Sequence, residues 1–265
     1  MFNSSKIKGP GPGGSNKTLV VTDGFFDENP IVLEQTVAAI FELFLSICYN
    51  NWPPGLRPQE AIAAIADTAV ADVLHMGDKY QSQVVREWAF DQLYERRFRM
   101  DPIQLVSLAL KFQSKKIFPH GFRRLTEIRI NDISSTSCRD IGNAVWDELI
   151  NLRELLNVHR HIVACEPPFV QHSLFCSDQT TCSEDWRQVW WNGMGRCLLD
   201  GRNPQSYREA IERFERMQFG QMNVQCWRDM LHFIKERLAF QRADDLIREK
   251  CNELMETFIK EEPVT

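Results

Sequence analysis

Residues 141–163 read IGNAVWDELINLRELLNVHRHIV, and the period of this stretch decides the fold class. Ile141, Val145, Leu149, Leu152, Leu156, His159 and Val163 recur at spacings of three and four, which lines one face of a long helix. On a strand the same residues would fall on both faces of the sheet. The same period continues downstream. After an irregular loop over 165–181 that contains Pro167-Pro168, Thr181 and Glu184 form a capping-box pattern. It predicts a helix with Trp186, Val189, Trp190 and Leu198 inward, ended by Gly201. Asn203-Pro204 opens a helix over 205–217, and a last helical stretch covers 223–259. There Val224, Trp227, Leu231, Ile234 and Leu238 face inward, and a phase slip predicts a kink near Phe240.

Upstream the pattern is also helical. Predicted helices cover 37–49 (Val37, Ile40, Phe41, Phe44, Leu45 and Cys48 on one face), 58–76, a stretch from 83, 103–112 and 118–130. Trp52-Pro53-Pro54-Gly55 stops the first. In the stretch from 83, Val84, Val85, Trp88 and Leu93 face inward. Asp101 followed by Pro102 supplies an N-cap and a first-turn proline. Only 18–22 and 29–33, β-branched runs around Asp23-Gly24, suggest a short hairpin. The expected class is therefore mainly α with a short N-terminal β remnant. A flexible leader over 1–16 precedes a first region over 17–130, and polar residues 131–137 separate it from a helical C-terminal region over 138–259.

The chain has 265 residues, 43% hydrophobic and 25% charged, with a net charge of −5. That composition excludes a disordered chain, and eight cysteines are too few for a disulfide framework. The net charge argues against non-specific nucleic-acid binding as the main task. No secretory signal opens the chain, and its longest apolar run, 37–49, is too short to cross a bilayer. The expected setting is intracellular, cytoplasmic or nuclear, with reduced thiols and no membrane contact.

At Asp27-Glu-Asn-Pro-Ile-Val-Leu-Glu34 and the following Phe41, Phe44, Leu45 and Tyr49, the chain resembles BTB/POZ proteins. The likeness continues through Val73-Leu-His-Met-Gly-Asp-Lys-Tyr80, Val84-Val-Arg-Glu-Trp88, Pro102-Ile-Gln-Leu-Val106 and Leu108-Ala109. It looks most like the large fungal BTB group, whose trailing helical region is similar to Cys182 through Trp190-Trp191, Gly193 and Leu198-Leu199. The resemblance covers roughly residues 22–250 and rests on core positions rather than a catalytic signature. It implies the helical C-terminal part of a BTB/POZ-like fold, N-terminally truncated. The implied function is a non-catalytic protein–protein interaction module, an adaptor or oligomerisation protein. Its implied partners are a cullin, as in a ubiquitin ligase substrate adaptor, or another BTB protein. The strand-rich front half that supplies the family's dimer surface is missing, which argues against homo-oligomerisation. Two alternatives stand beside this reading: a basic-faced regulatory protein that docks nucleic acid or an acidic partner, and a degenerate truncated product without a stable partner.

No enzyme is expected, because Gly-x-Ser-x-Gly, His-Glu-x-x-His and a lysine-ended phosphate loop are all absent. Gly193-Met-Gly195 lies in a helical pattern without a preceding strand, so it is no dinucleotide fingerprint. Cys165, His172, Cys176 and Cys182 gather around one loop with His159 and His161 just before it, and these are zinc-ligand types. Five residues separate Cys176 from Cys182, however, which fits no finger spacing, and His159 continues the apolar seam. On the sequence, no metal and no cofactor are assigned. Residues 96–130 hold nine Lys/Arg against Asp101 and Glu127, a local surplus of seven. Lys115, Lys116, Arg123 and Arg124 are the candidate partner-binding cations there, against the plainer reading of a solvated face. Trp191, rotated off the Trp186–Trp190 stripe, is the candidate aromatic contact.

Overall fold

A computed structural model describes residues 5–6, 20–21, 36–52, 57–203, 205–236 and 238–260. It divides into two compact units, residues 1–63 and 64–265. In the first, Ser5–Lys6 (β1) pairs antiparallel with Val20–Val21 (β2). The 29–33 run expected to pair with 18–22 lies outside the described residues. Two helices follow, Ala38–Tyr49 (α1) and Pro58–Ala63 (α2). On α1 the buried positions are Phe44 and Ile47, while Val37 and Leu45 of the predicted face are exposed.

The regular elements of the second unit, among the described residues, are all helices. Asp67–Lys79 (α3) packs on Gln83–Glu95 (α4), and Pro102–Lys111 (α5) packs on Phe118–Leu125 (α6) and Ser135–Ile141 (α7). The long helix Asn143–Cys165 (α8) follows, then Gln179–Trp190 (α9), which runs through a π-helical turn over Trp191–Gly195 into Arg196–Leu199 (α10). Tyr207–Glu215 (α11), Val224–Glu236 (α12) and Leu238–Phe258 (α13) complete it. One apolar core runs from Val70 on α3 to Ile259 beyond α13.

The predicted seam of α8 buries Val145, Leu149, Leu152, Leu156 and Val163, and its helix packs against α13 and α10. His159 is half-buried and bonds the Tyr207 hydroxyl at 2.7 Å. The Asp101 cap also forms, accepting from the Ile103 N–H at 3.3 Å. The polar 131–137 stretch lies inside the second unit, where the Ser134 hydroxyl caps α7.

Several boundaries differ from the sequence expectation, each for a local reason. The helix predicted over 58–76 breaks at residues 64–66, where Ala66 is extended. There the buried Arg96 donates from Nη1 to the Ile65 carbonyl at 2.6 Å and to Asp67 Oδ1 at 3.0 Å. A carbonyl committed to that guanidinium is withdrawn from a helical ladder. The helix predicted to start at Thr181 starts at Gln179, because Asp178 accepts from the Thr181 N–H at 2.9 Å. Val84 and Val224, read as inward, are exposed. Residue 237 and the side chain of Leu238, next to the kink expected near Phe240, lie outside the described residues.

Ser206, not Asn203-Pro204, opens α11 through a reciprocal capping box with Glu209. Ser206→Ala is expected to lower stability by about 1 kcal/mol, and Ser206→Gly by a few tenths, read as a shift in urea midpoint at unchanged slope. Equal midpoints for Ser206→Ala and the parent would show that the cap contributes nothing.

Candidate metal centre

The loop over 166–178 between α8 and α9 is tied down from several sides. Trp186 Nε1 donates to the Pro168 carbonyl at 2.8 Å, and Asn223 Nδ2 donates to the Phe175 carbonyl at 3.3 Å. Asn223 also caps α12, its Oδ1 accepting from Gln225 N at 2.9 Å and Cys226 N at 3.3 Å. These contacts lay the loop across the N-terminal ends of α9 and α12. The first turn of α9 carries Cys182, and the first turn of α12 carries Cys226.

There the side chains of His172, Cys176, Cys182 and Cys226 converge, with one donor atom from each within 4.8 Å of all the others. His172 Nδ1 and Cys176 Sγ are 3.5 Å apart. Cys182 and Cys226 are buried, and His172 and Cys176 are half-buried. The Ser173 N–H donates to Cys226 Sγ at 3.2 Å. Burial pushes the Cys182 thiol up to about 12, and Cys176 is raised as well. Burial also works against the Cys226 thiolate, but the Ser173 N–H and hydroxyl and the two neighbouring cysteines outweigh it, so Cys226 is lowered. Three sulfurs and an imidazole facing one another form a donor set for a borderline-soft cation.

The sequence gathered Cys165, His172, Cys176 and Cys182, and three of these four meet. Cys165 stands exposed at the end of α8, and His161 turns its Nδ1 to the Asn157 carbonyl at 2.7 Å. The finger-spacing argument against a metal fails here, because it counted only ligands close in sequence. The fourth donor is Cys226, one residue before the inward-facing Trp227. Its signal was a cysteine in the first turn of a helix, where N–H groups and the helix dipole favour a thiolate.

The cationic candidates have intramolecular contacts. Arg124 Nη1 donates to the carbonyls of Arg97 (2.5 Å) and Met100 (2.6 Å), Arg123 pairs with Asp244, and Lys116 pairs with Asp91. Arg97 donates to the Tyr94 carbonyl at 2.7 Å. Much of the basic surplus thus caps helix ends and cross-links helices. Lys115 is exposed. Trp191 is 46% exposed, whereas Trp186 and Trp190 are buried as their spacing implies.

An open cleft of about 1170 Å³ lies among α6, α8, α11 and α13, lined in part by Arg123, Glu127, Arg160, Tyr207 and Asp244. Burial raises the Glu127 carboxyl and lowers Arg160. The Ser206 hydroxyl at its edge belongs to the α11 cap, accepting from the Glu209 N–H at 3.3 Å and donating to Glu209 Oε2 at 3.1 Å.

No helix among the described residues is long and apolar enough to cross a membrane. No protein-family model, curated protein or solved structure matches the chain.

Proposed function

We propose that the chain is a non-catalytic protein-interaction module of BTB/POZ type, which docks an amphipathic helix of a protein partner along the outer face of α8. One observation carries this reading. Leu155, Val158 and Ile162 are 53%, 50% and 50% exposed, although the opposite seam of the same helix lies in the core. Their spacing of three and then four places them on one stripe, the anchor spacing of helix-on-helix docking. Isolated exposed apolar residues are ordinary, but a row in helical register is a contact surface without its cover. Glu154 and Glu166 stand exposed at its two ends, which favours a partner helix with basic residues beside its apolar face. The BTB/POZ part of the proposal rests on the sequence resemblance, and it makes a cullin or a full-length BTB protein the first partners to look for. The same reading expects the protein inside the cell, in cytoplasm or nucleus, where its cysteines stay reduced and outside disulfides.

The test is a photo-crosslinking residue at Val158 in the full chain, expressed in its own cells. Expected is one stoichiometric adduct whose crosslinked peptide is an amphipathic helix, lost in a Leu155→Glu/Ile162→Glu variant with an unchanged melting temperature. An adduct that survives the double variant, or crosslinks scattered over unrelated proteins, would overturn the proposal. A crosslink between two copies of the chain would replace the foreign partner with a homodimer.

A further inference from the structure

We infer that His172, Cys176, Cys182 and Cys226 form a closed structural zinc site, which locks the 166–178 loop onto the N-terminal ends of α9 and α12. The donors number four and leave no position for water or substrate, which distinguishes a structural from a catalytic zinc site. In a tetrahedron with Zn–S of about 2.3 Å and Zn–N of about 2.0–2.1 Å, the nitrogen-to-sulfur edge is about 3.5 Å. The His172 Nδ1 to Cys176 Sγ separation is 3.5 Å. A tetrahedral sulfur-to-sulfur edge is about 3.8 Å, so a set already within 4.8 Å needs only a small contraction.

The hydrogen bonds around the set orient the donors. Ser183 Oγ donates its single proton to the Gln179 carbonyl at 2.8 Å. Toward His172 Nε2, 3.1 Å away, that oxygen can therefore only accept. Nε2 must then carry the ring proton, and Nδ1 presents its lone pair to the three sulfurs. A ligating histidine with its other nitrogen held by an outer partner is the usual arrangement at zinc. Cys226 is prepared in the same way by the Ser173 N–H.

Chain topology says what the ion would do. The ligands come from the loop, from α9 and from α12, so one ion closes the chain from His172 to Cys226. Such a closure restricts the unfolded chain, and metal affinity becomes folding free energy. The held loop carries Phe169, Leu174 and Phe175 almost fully exposed. Three apolar side chains on one loop need a rigid support if they are not to collapse onto the core. Zinc fits better than a redox metal, because three thiolates and an imidazole in a closed tetrahedron match its preference.

The experiment is metal analysis of the untagged full chain, purified with reductant, by native mass spectrometry, followed by replacement with Co(II) alone. Expected are one zinc per chain and a cobalt spectrum with tetrahedral ligand-field bands and thiolate charge transfer. Cys165→Ser keeps both. Cys226→Ser loses both, and Ser183→Ala, which leaves every ligand in place, weakens zinc binding about 10–100-fold. Should Cys226→Ser fail to fold, His172→Cys decides, since a four-cysteine set still binds zinc with an altered cobalt spectrum. No stoichiometric metal in the reduced parent, an octahedral cobalt spectrum, or zinc retained by folded Cys226→Ser would each overturn the site. So would a disulfide between two of Cys176, Cys182 and Cys226, found by peptide mapping of the chain purified with reductant.

Discussion

Trp186→Ala is expected to cost about 3–5 kcal/mol. The side chain is 1% exposed and sits at the centre of an aromatic cluster. Its ring lies 5.5 Å from Trp190, 5.9 Å from Phe214 and 6.0 Å from Trp227, centroid to centroid, so it bridges α9, α11 and α12. Alanine there leaves a cavity ringed by indoles and a phenyl, which cannot collapse without moving three helices. The substitution also removes the Nε1 donor that holds the Pro168 carbonyl at 2.8 Å. For a unit of this size the loss corresponds to a melting-temperature drop on the order of 10 °C. Trp186→Phe separates the two contributions. It keeps most of the ring packing and gives up the hydrogen bond, so it should fall between the parent and Trp186→Ala. Trp191→Ala is the control, because half-exposed Trp191 fills no such space and should change stability by under about 1 kcal/mol. Equal losses for Trp186→Ala and Trp191→Ala, measured by urea denaturation, would remove the aromatic cluster as the organising contact of this region.

The features of this region divide by how far each signal travels along the chain. The α8 seam, the Asp101 cap and the burial of Trp186 and Trp190 were legible because their causes are local: a period, or a side chain near its own helix start. The break at residues 64–66 was not, because the group that takes the Ile65 carbonyl is Arg96 on the far end of α4. The start of α9 was misread for a subtler reason. Thr181 with Glu184 satisfies the capping-box pattern, but Asp178, three residues earlier, captures the Thr181 N–H first. At the histidine–cysteine cluster, sequence proximity gathered His172, Cys176 and Cys182 and could not reach Cys226, which only folding brings there. The outward stripe on α8 was hidden by its own composition. With apolar residues on both faces, the inward seam absorbs the period, and Leu155, Val158 and Ile162 read as ordinary helix. Which of two apolar faces meets the core is decided by α10 and α13, and no window on α8 contains them.

Gly193→Ala is expected to destabilise the second unit by about 1–3 kcal/mol, although alanine is ordinarily the better helix residue. The reason is proximity. A Cβ at Gly193 would stand 2.5 Å from Met217 Sδ, 2.6 Å from Phe214 Cδ2 and 2.8 Å from Phe214 Cε2. The methionine end can swing away, but the Phe214 ring is fully buried and wedged against Trp186, Trp190 and Trp227. Moving that ring therefore disturbs the whole aromatic cluster. Gly193 is the middle residue of the π-helical turn over Trp191–Gly195, and the turn lies where α11 packs closest. The glycine that looked like a failed nucleotide motif thus serves a close helix crossing. Gly195→Ala tests the geometry on the same turn: its nearest outside atom is Trp191 Cε3 at 3.2 Å, so it should cost less. Gly201→Ala has nothing within 4 Å of its new methyl and should be neutral or stabilising. The expected order of urea midpoints is Gly201→Ala at or above the parent, then Gly195→Ala, then Gly193→Ala. A Gly193→Ala midpoint at or above the parent would mean that α11 is held farther away than the crossing requires. Recovery of the Gly193→Ala loss in Gly193→Ala/Met217→Ala, measured against Met217→Ala alone, would assign the clash to the thioether rather than to the ring.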